Sequence, residues 1–317
     1  MAAGRRETIP RLRLPAVARG ATVAVVSPCS YPQAERLAQG LEGLRSLGFE
    51  PSVGKHALSK ANRYFAGSAT ERLSDLHGAF LDPEVRAIFC SRGGYGSNYL
   101  LEGLDLDLIR AHPKPLLGYS DLTGIQTWLL DRVGLPAFSA PMVAADFRSP
   151  EGVDRASLSA ALSGERWILG PEAGLRVLRP GRAQGELYGG CLTLLAAALG
   201  TPYAPQSEGK LLFVEDLAVK PYQVDRLLRQ MILAGKFDGV VGIVFGEMMD
   251  CLTPEQDPRI LDETILRVLE RVEGPIGIGL RSGHVSHGNV TLAFGMQAEL
   301  NLEREPKLAF LEPATEN

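Results

Sequence analysis

The segment ATVAVVS at residues 21–27 constrains the fold most, because it is a continuous apolar and β-branched run. Such a run is typical of a strand that is buried on both faces, as in a parallel sheet. The next segment, 33–47, carries leucines spaced by four and three residues, which predicts a helix with one apolar face. Gly48 follows where a helix-ending glycine is expected. Strand, loop and helix in this order predict the start of a doubly wound α/β domain.

The same alternation continues to about residue 145. Further strands are predicted at 85–90, 114–118 and 136–139, and further helices at 70–81, from 98 to 104, and at 123–133. The pattern predicts an α/β fold whose N-terminal part is a Rossmann-like parallel sheet with helices on both faces.

The pattern changes after residue 145. Residues 148–185 are rich in proline and glycine, which predicts a linker with one short helix at 155–162. Beyond Gly185 the chain predicts a smaller α/β domain with a barrel-like curled sheet. Its strands are expected at 211–215, 240–245, 290–294 and 298–302, and its helices at 223–234 and 260–272. A chain of 317 residues exceeds what one core usually serves. We therefore expect an N-terminal domain over 1–150, a linker over 151–184 and a C-terminal domain over 185–317.

Charge and cysteine content exclude several classes of protein. The 33 basic and 37 acidic residues give a net charge of −4, which offers no electrostatic reason to expect a nucleic-acid or membrane-surface protein. The four cysteines are far apart in sequence and form no C-x-x-C motif, as suits a reducing compartment. The N-terminal arginines precede no apolar segment, and no apolar run approaches the ~20 residues of a membrane span. We expect a soluble, cytoplasmic protein.

One candidate nucleophile lies in the segment LLGYSD at residues 116–121. A strand ends, a glycine follows, and Ser120 stands just before a helix, as in the strand-to-helix turn of a nucleophile elbow. The free N–H groups of the helix start are able to stabilise an oxyanion. The G-x-S-x-G pattern is incomplete, because Leu122 replaces the second glycine. The alternative is that Ser120 or Asp121 caps the helix at 123–133.

A glycine-rich segment, SRGGYG at residues 91–96, follows the preceding predicted strand. Its glycines allow the backbone to approach a ligand closely. It is expected to bind an anion at the next helix start or to contribute to an oxyanion hole; the alternative is a tight turn. The segment does not match the dinucleotide-binding pattern G-x-G-x-x-G. It also lacks the G-K-[ST] of a P-loop.

An acid and a histidine complete the candidate site. Glu215 and Asp216 end the strand LLFVED, and a carboxylate near a core is costly unless paired. His284 lies in a glycine-rich loop and is a plausible general base. With Ser120, these residues predict a Ser-His-Glu triad, in which the carboxylate fixes the imidazole tautomer. His287, three residues after His284, is equally titratable and is the other candidate for the base. A metal site on His284, His287 and Glu215 is the competing interpretation, although the helical H-E-x-x-H context is absent.

Taken in order, these segments resemble the LD-carboxypeptidase family of serine peptidases, which includes murein tetrapeptide carboxypeptidases and microcin C immunity peptidases. The resemblance spans nearly the whole chain, and R-G-G-Y-G followed about 25 residues later by G-Y-S-D is its most specific part. The matching stretches are VAVVSPCS (23–30), SRGGYGSNYLL (91–101), PLLGYSDLTG (115–124), GELYGGCLTLLAAALGTPY (185–203), LLFVEDL (211–217), YQVDRLLRQMILAG (222–235) and GHVSHGNVTLAFG (283–295).

The resemblance implies a role for each candidate residue. Ser120 corresponds to the nucleophile, His284 to the general base and Glu215 to its orienting partner, and the amides of Gly94 and Asp121 correspond to the oxyanion hole. It also implies a homodimer, a peptide-like substrate, and no metal or organic cofactor. The implied reaction is hydrolysis of an L,D amide bond, with release of D-alanine from murein tetrapeptide in peptidoglycan recycling.

The walls of the implied cleft differ from the family pattern at three places. Cys191 stands where asparagine is frequent, Cys29 where serine is common, and Ser286-His287-Gly288 where a proline usually follows G-H-x. These differences bear on the substrate more than on the reaction class. The D-alanine carboxylate needs a cation: Arg92 is the candidate, with Tyr95 beside it.

Other substrates and ligands stay open at this stage. Lys220 and Arg226 are further candidates for binding acidic groups. An aminoacyl-nucleotide antibiotic is an alternative substrate and needs an aromatic clamp, for which Trp128, in a predicted helix, and Trp167, in the linker, are the only tryptophans. A catalytically silent protein that binds an anionic peptide-like ligand through the Gly93 loop is the alternative outside enzymes.

Overall fold

A computed structural model describes residues 9–253, 255–257 and 259–316. Within these ranges the helices are α1 Ala34–Ser46, α2 Ala69–Leu81, α3 Leu106–Ala111, α4 Thr123–Val133, α5 Arg155–Ser163, α6 Leu192–Ala197, α7 Pro221–Leu233 and α8 Arg259–Val268. The strands are β1 Thr22–Val26, β2 Glu50–Val53, β3 Val85–Cys90, β4 Leu116–Gly118, β5 Ala137–Ser139, β6 Ile168–Leu169, β7 Arg176–Arg179, β8 Arg182–Cys191, β9 Leu211–Glu215, β10 Gly242–Gly246, β11 Ile276–Leu280, β12 Leu292–Phe294, β13 Gln297–Asn301 and β14 Lys307–Phe310.

The first sheet has the strand order β2-β1-β3-β4-β5-β12. Its first five strands are parallel, as the buried apolar run of β1 predicts, whereas β12 pairs antiparallel with β5. In a sheet of this kind the ligand crevice lies outside the carboxyl ends of the strands. The glycine-rich segment follows the carboxyl end of β3, and Ser120 follows that of β4.

The second sheet has the order β6-β14-β13-β8-β9-β10-β11-β7. Strands β8 to β11 are parallel, and antiparallel strands flank them on both sides. Strand β9 is buried along its whole length and ends at Glu215, while His284 follows the carboxyl end of β11. Each sheet therefore delivers part of the candidate site from strand ends.

The sequence-based expectations agree with this mixed α/β fold, and they differ from it at particular segments. Residues 98–104 were expected to begin a helix but form two short 3₁₀ turns, because Asp105 accepts a hydrogen bond from the Leu108 amide and starts α3 instead. The segment 290–294 was expected in the C-terminal domain, yet its strand joins the first sheet. Segment 151–184 holds β6 and β7 besides its helix. The domain boundaries and the barrel-like curl stay predictions.

No helix within the described ranges is both long and apolar enough to cross a lipid bilayer.

Candidate active site

Ser120 lies in a strained turn between β4 and α4. Its φ is 65°, in the left-handed region that costs free energy for a residue with a side chain. The Thr123 hydroxyl donates to the Ser120 carbonyl at 2.7 Å, and the Gln126 side-chain amide donates to the Gly118 carbonyl at 2.8 Å. These contacts hold the sharp strand-to-helix turn that a nucleophile elbow requires.

The glycine-rich segment packs directly on this turn. A methyl group on Gly93 would lie 2.8 Å from the Cβ and 2.9 Å from the Oγ of Ser120, so only glycine fits there. Gly94 has a φ of 103°, and the next amide, that of Tyr95, donates to the Ser30 hydroxyl at 3.0 Å. The segment therefore brings its backbone close to the Ser120 hydroxyl.

Asp121 does not cap helix α4. Its carboxylate is buried and accepts a hydrogen bond from the Ser97 amide at 2.8 Å, while α4 begins without a side-chain cap. Burial raises the pKa of Asp121, and the hydrogen bond from Ser97 opposes this effect. Neither Ser120 nor Asp121 therefore caps helix α4, and the alternative interpretation of this turn does not hold.

Glu215 and His284 form a hydrogen-bonded pair. The Glu215 Oε2 atom lies 2.8 Å from the His284 Nδ1 and accepts the His284 backbone amide at 3.0 Å. Glu215 is 1% exposed, and the histidine side chain is 19% exposed. Because the carboxylate binds Nδ1, the imidazole is held with a proton on Nδ1 and with Nε2 available as a base.

The carboxylates around His284 raise its pKa. Burial alone lowers the pKa of the imidazole, but the hydrogen bond and charge of Glu215, together with Asp216 and Asp146, outweigh burial. The result is an imidazole that is readily protonated during a reaction.

Contacts between the two sheets bring Ser120 and His284 to a common edge. The ring of Tyr119, which precedes Ser120, meets the His284 ring edge-on, with centroids 5.1 Å apart. The Ser139 and Ser282 hydroxyls lie 3.2 Å apart across the same seam. The Ser120 hydroxyl and the His284 ring form no hydrogen bond in the described structure.

Cys191 connects the seam to the Glu215 strand. It pairs with Glu215 in the β8–β9 register, and its amide donates to the Thr123 hydroxyl at 3.0 Å. Thr123 also binds the Ser120 carbonyl, so a short series of contacts joins the serine turn to the carboxylate strand.

His287 takes no part in the pair. It is exposed, and its Nδ1 lies 2.9 Å from the Ser286 hydroxyl rather than near Glu215. In the part of the chain that the structure describes, no group of three His, Cys, Asp or Glu side chains is arranged to hold a metal ion.

The residues predicted to bind substrate lie on exposed surface. Arg92 is exposed beside Gly94, and its guanidinium lies 3.5 Å from the Tyr31 carbonyl. Tyr95 is 43% exposed and belongs to an aromatic group that we call the tyrosine cluster, with neighbouring ring centroids 5.3–6.3 Å apart. Its members are Tyr64, Phe65, Tyr95 and Tyr99. Lys220 and Arg226 are exposed at α7, where Arg226 stacks over Tyr222.

Both tryptophans pack against other side chains, Trp128 half-buried and Trp167 buried. Trp128 packs edge-on against Tyr203 and under Arg132. Trp167 is stacked on Phe310 at 3.9 Å, and its indole N–H donates to the Thr291 carbonyl at 3.2 Å. Trp167 is therefore buried in the packing of the second sheet and is not placed to serve as the aromatic clamp for which it was a candidate.

Sequence reasoning missed two polar residues close to His284, the half-buried Asp146 and the buried Asn289. Asp146 accepts hydrogen bonds from the Met142 amide at 2.7 Å and from the Asn289 side chain at 3.3 Å. Asn289 in turn binds the backbone of Gly283. The only signal in the sequence is a carboxylate that follows the apolar segment PMVAA, which is a weak sign of a buried acid.

Comparisons with known proteins agree with the geometry. The LD-carboxypeptidase N-terminal domain matches residues 23–140, and the LD-carboxypeptidase C-terminal domain matches residues 184–300. A probable murein peptide carboxypeptidase of Bacillus subtilis is 36% identical over 290 residues, which is 90% of each chain. The murein tetrapeptide carboxypeptidase of Pseudomonas aeruginosa is 33% identical and covers 83% of this chain and 87% of its own.

A solved structure gives the same fold. The microcin C7 self-immunity protein MccF in complex with aspartyl sulfamoyl adenosine matches with a TM-score of 0.85 and 26% identity, over 96% of this chain and 100% of that one. The chain therefore belongs to the LD-carboxypeptidase family, and it is a serine-type carboxypeptidase, a hydrolase.

Proposed function

We propose that this enzyme hydrolyses the L,D amide bond that holds the terminal D-alanine of murein tetrapeptide, a step of peptidoglycan recycling. The observation that carries the proposal is the buried Glu215–His284 pair beside the strained Ser120 turn. The relatives named as murein peptide and murein tetrapeptide carboxypeptidases support this choice of substrate.

In the proposed mechanism, Ser120 Oγ attacks the substrate carbonyl while His284 Nε2 takes the hydroxyl proton. The negative charge that forms on the carbonyl oxygen is met by the amides of Gly94 and Asp121, and one such donor is worth about 3–4 kcal/mol of barrier. His284 then gives its proton to the leaving amine, and D-alanine departs. Water, activated by the same imidazole, hydrolyses the acyl-enzyme and restores the serine.

Glu215 supplies orientation and charge to this cycle. Its carboxylate keeps the proton of the neutral imidazole on Nδ1, and it stabilises the imidazolium that forms when Ser120 is deprotonated. Because the base must be neutral, kcat/KM rises with pH through the pKa of His284. That pKa is raised, so the rise falls above the range of a free histidine.

Arg92 and Tyr95 are proposed to bind the C-terminal end of the substrate. The Arg92 guanidinium is exposed on the loop that carries Gly94, so it is accessible to the D-alanine carboxylate. Tyr95 lies next to Gly94 and offers a partly exposed ring. The proposed cycle uses no metal and no organic cofactor, because serine, imidazole and backbone amides supply the nucleophile, base and oxyanion donors.

An aminoacyl-nucleotide antibiotic is the second candidate substrate. The observation that favours it is the tyrosine cluster beside the glycine-rich segment, whose exposed rings offer stacking surfaces to a base. The MccF structure holds aspartyl sulfamoyl adenosine, and that ligand is the natural probe. A protein that only binds an anionic peptide-like ligand is the remaining alternative, and labelling of Ser120 by a serine-reactive phosphonate, absent after heat unfolding, argues against it.

The decisive experiment compares Ser120→Ala with Ser46→Ala. Ser46 is exposed at the end of α1, where its hydroxyl donates to the Gly43 carbonyl, and it has no part in the proposed cycle. We expect Ser120→Ala to lose several orders of magnitude in kcat for D-alanine release from murein tetrapeptide, and Ser46→Ala to keep the wild-type rate. Near-wild-type turnover by Ser120→Ala would falsify the proposed mechanism.

A parallel assay that measures release of the amino acid from an aminoacyl sulfamoyl adenosine decides between the substrates. Faster turnover of the tetrapeptide supports the murein assignment, and faster turnover of the nucleotide supports the alternative. We further propose that the enzyme acts in the cytoplasm, as its scattered cysteines suggest, and as a homodimer, as its family resemblance implies. Light scattering of the purified protein tests the dimer, and fractionation of the source cells tests the location.

A further inference from the structure

The carboxylate of Asp146, a half-buried residue, is not used by the proposed cycle, although it lies close to both halves of the site. It follows β5 in the chain and is bound by the Met142 amide at 2.7 Å and by the Asn289 side chain at 3.3 Å. No salt bridge reaches it among the described residues. Burial raises the pKa of Asp146 to about 6, so the group ionises in the range where the enzyme is expected to act.

Asn289 connects Asp146 to the histidine loop. Its side chain donates to the Gly283 carbonyl at 3.0 Å and accepts the Gly283 amide at 3.2 Å. Gly283 directly precedes His284, and a methyl group on Gly283 would lie 2.6 Å from the Glu215 carboxyl. The Asn289 clamp therefore fixes the backbone from which the imidazole extends.

Tyr119 connects Asp146 to the serine turn. The phenol is buried, and after burial itself the charge of Asp146 is the largest influence that raises the pKa of Tyr119. The ring of Tyr119 meets the His284 ring at 5.1 Å with an interplanar angle of 89°. Tyr119 is also the residue before Ser120, so Asp146 acts on both sides of the seam.

We propose that Asp146 is a positioning residue: it holds Tyr119 and Asn289 so that Ser120 and His284 meet, and its negative charge favours the imidazolium formed in the reaction. This inference rests on the proposed function of Ser120 and His284. The charged and titratable groups that face His284 are Glu215, Asp216, Asp146 and the Tyr119 phenol. Removal of the Asp146 charge leaves the orienting bond from Glu215 to His284 Nδ1 intact.

The test is Asp146→Asn, measured as kcat and as the pH profile of kcat/KM. The amide keeps the shape and an acceptor for Met142 but removes the charge, so we expect kcat to fall roughly tenfold. The same change lowers the pKa of His284, so the acid limb of the profile moves to lower pH. A wild-type kcat with an unmoved acid limb overturns the inference.

Tyr119→Phe tests whether Asp146 acts through the Tyr119 phenol. It keeps the ring against His284 and removes the hydroxyl, so we expect a fall in kcat without the move of the acid limb to lower pH. A thermal melt of Asp146→Asn at pH 8 checks the fold, and it should be no less stable than wild type because a buried ionised group has been removed. A lower melting temperature with an unshifted acid limb shows a merely structural role and overturns the inference.

The outcomes of this test differ from those of the test of function. If Ser120→Ala is inactive while Asp146→Asn behaves as wild type, the proposed function stands and the role of Asp146 fails. If Ser120→Ala retains activity, the proposed function fails first, and the role of Asp146 fails with it.

Discussion

The conformation of Ser120 is the most demanding feature at the level of single residues. A left-handed φ costs a residue with a side chain about 1–3 kcal/mol, and it persists only where the surroundings enforce it. Here the Thr123 hydroxyl holds the Ser120 carbonyl, and the Gly93 backbone closes on the side chain. The strain exposes the hydroxyl at the strand end, where the proposed cycle needs it.

Gly93→Ala is expected to disable the site while the fold survives. The φ of Gly93 lies outside the left-handed region, so alanine is tolerated by the backbone, but its methyl would overlap the Ser120 side chain. Displacement of a catalytic group by about 1 Å costs about 100-fold in rate. Because the methyl group would displace the Ser120 hydroxyl, we expect kcat/KM to fall by about that factor. The matched control is Gly78→Ala in α2, where a methyl group meets nothing within 4 Å. Equal activity of the two variants contradicts the steric argument.

Some site residues were predictable from sequence, and others depend on contacts that no local pattern reveals. Glu215 was identified because a carboxylate at the end of a buried strand needs a partner, and the structure provides one in His284. Asp146 and Asn289 have no motif. Their importance arises only when the loop after β5 meets the histidine loop, which is a contact between distant parts of the chain.

At the level of elements, helix α2 positions two loops of the site. Arg72, on its buried face, donates to the Pro28 carbonyl at 2.6 Å and to the Gly96 carbonyl at 2.7 Å. These carbonyls belong to the loops after β1 and β3. The helix itself begins with a capping box in which the side chains of Ser68 and Glu71 bind each other's backbone amides.

Arg72→Met is expected to loosen the glycine-rich segment. It leaves two carbonyls without their donor, so we expect kcat/KM to fall by 10-fold or more along with stability. Ser68→Ala is the control from the same helix, since it removes the cap and costs about 1 kcal/mol but touches no site loop. Both variants are assayed at a temperature at which circular dichroism shows them folded. An equal loss of kcat/KM in the two variants argues that α2 acts only through stability.

Element prediction succeeded where a single physical signal dominates. The helix predicted at 123–133 reproduces α4 residue for residue. Strand β8 was missed because its sequence RAQGELYGGC alternates weakly and holds three glycines. Two of these, Gly189 and Gly190, pass so close to Phe213 and Thr123 that no side chain fits, and this crowding exists only after folding.

At the scale of the whole molecule, the seam between the sheets brings the site together. Strand β12 crosses from the second half of the chain to pair with β5, and no sequence pattern predicts that choice of partner. Arg11 forms a salt bridge with Glu186 at 2.6 Å and donates to the Leu130 carbonyl, which ties the N-terminal segment and α4 to β8. Such contacts hold the seam at which the Tyr119 and His284 rings meet.

Asp131 makes the stability of this seam depend on pH. Its carboxylate, on α4, accepts hydrogen bonds from the Tyr188 hydroxyl of β8 at 2.7 Å and from the Gln206 amide at 3.2 Å. Burial raises the pKa of Asp131 from 3.8 to about 6, against the opposing charge of Lys210. The pKa of Asp131 is higher in the folded state than in the unfolded state. The stabilising contribution of its neutral carboxyl group is therefore fully present below pH 4 and is lost as pH rises through 6.

Asp131→Asn should therefore stabilise the protein in a pH-dependent way. The amide still accepts the Tyr188 hydroxyl and carries no charge, so the unfolding free energy should match wild type at pH 4 and exceed it by up to roughly 3 kcal/mol at pH 8. Urea titrations at both pH values measure the difference, and Asp107→Asn, whose side chain is 94% exposed, is the control. If the difference in unfolding free energy between Asp131→Asn and wild type stays constant from pH 4 to pH 8, ionisation of the Asp131 carboxylate does not destabilise the seam.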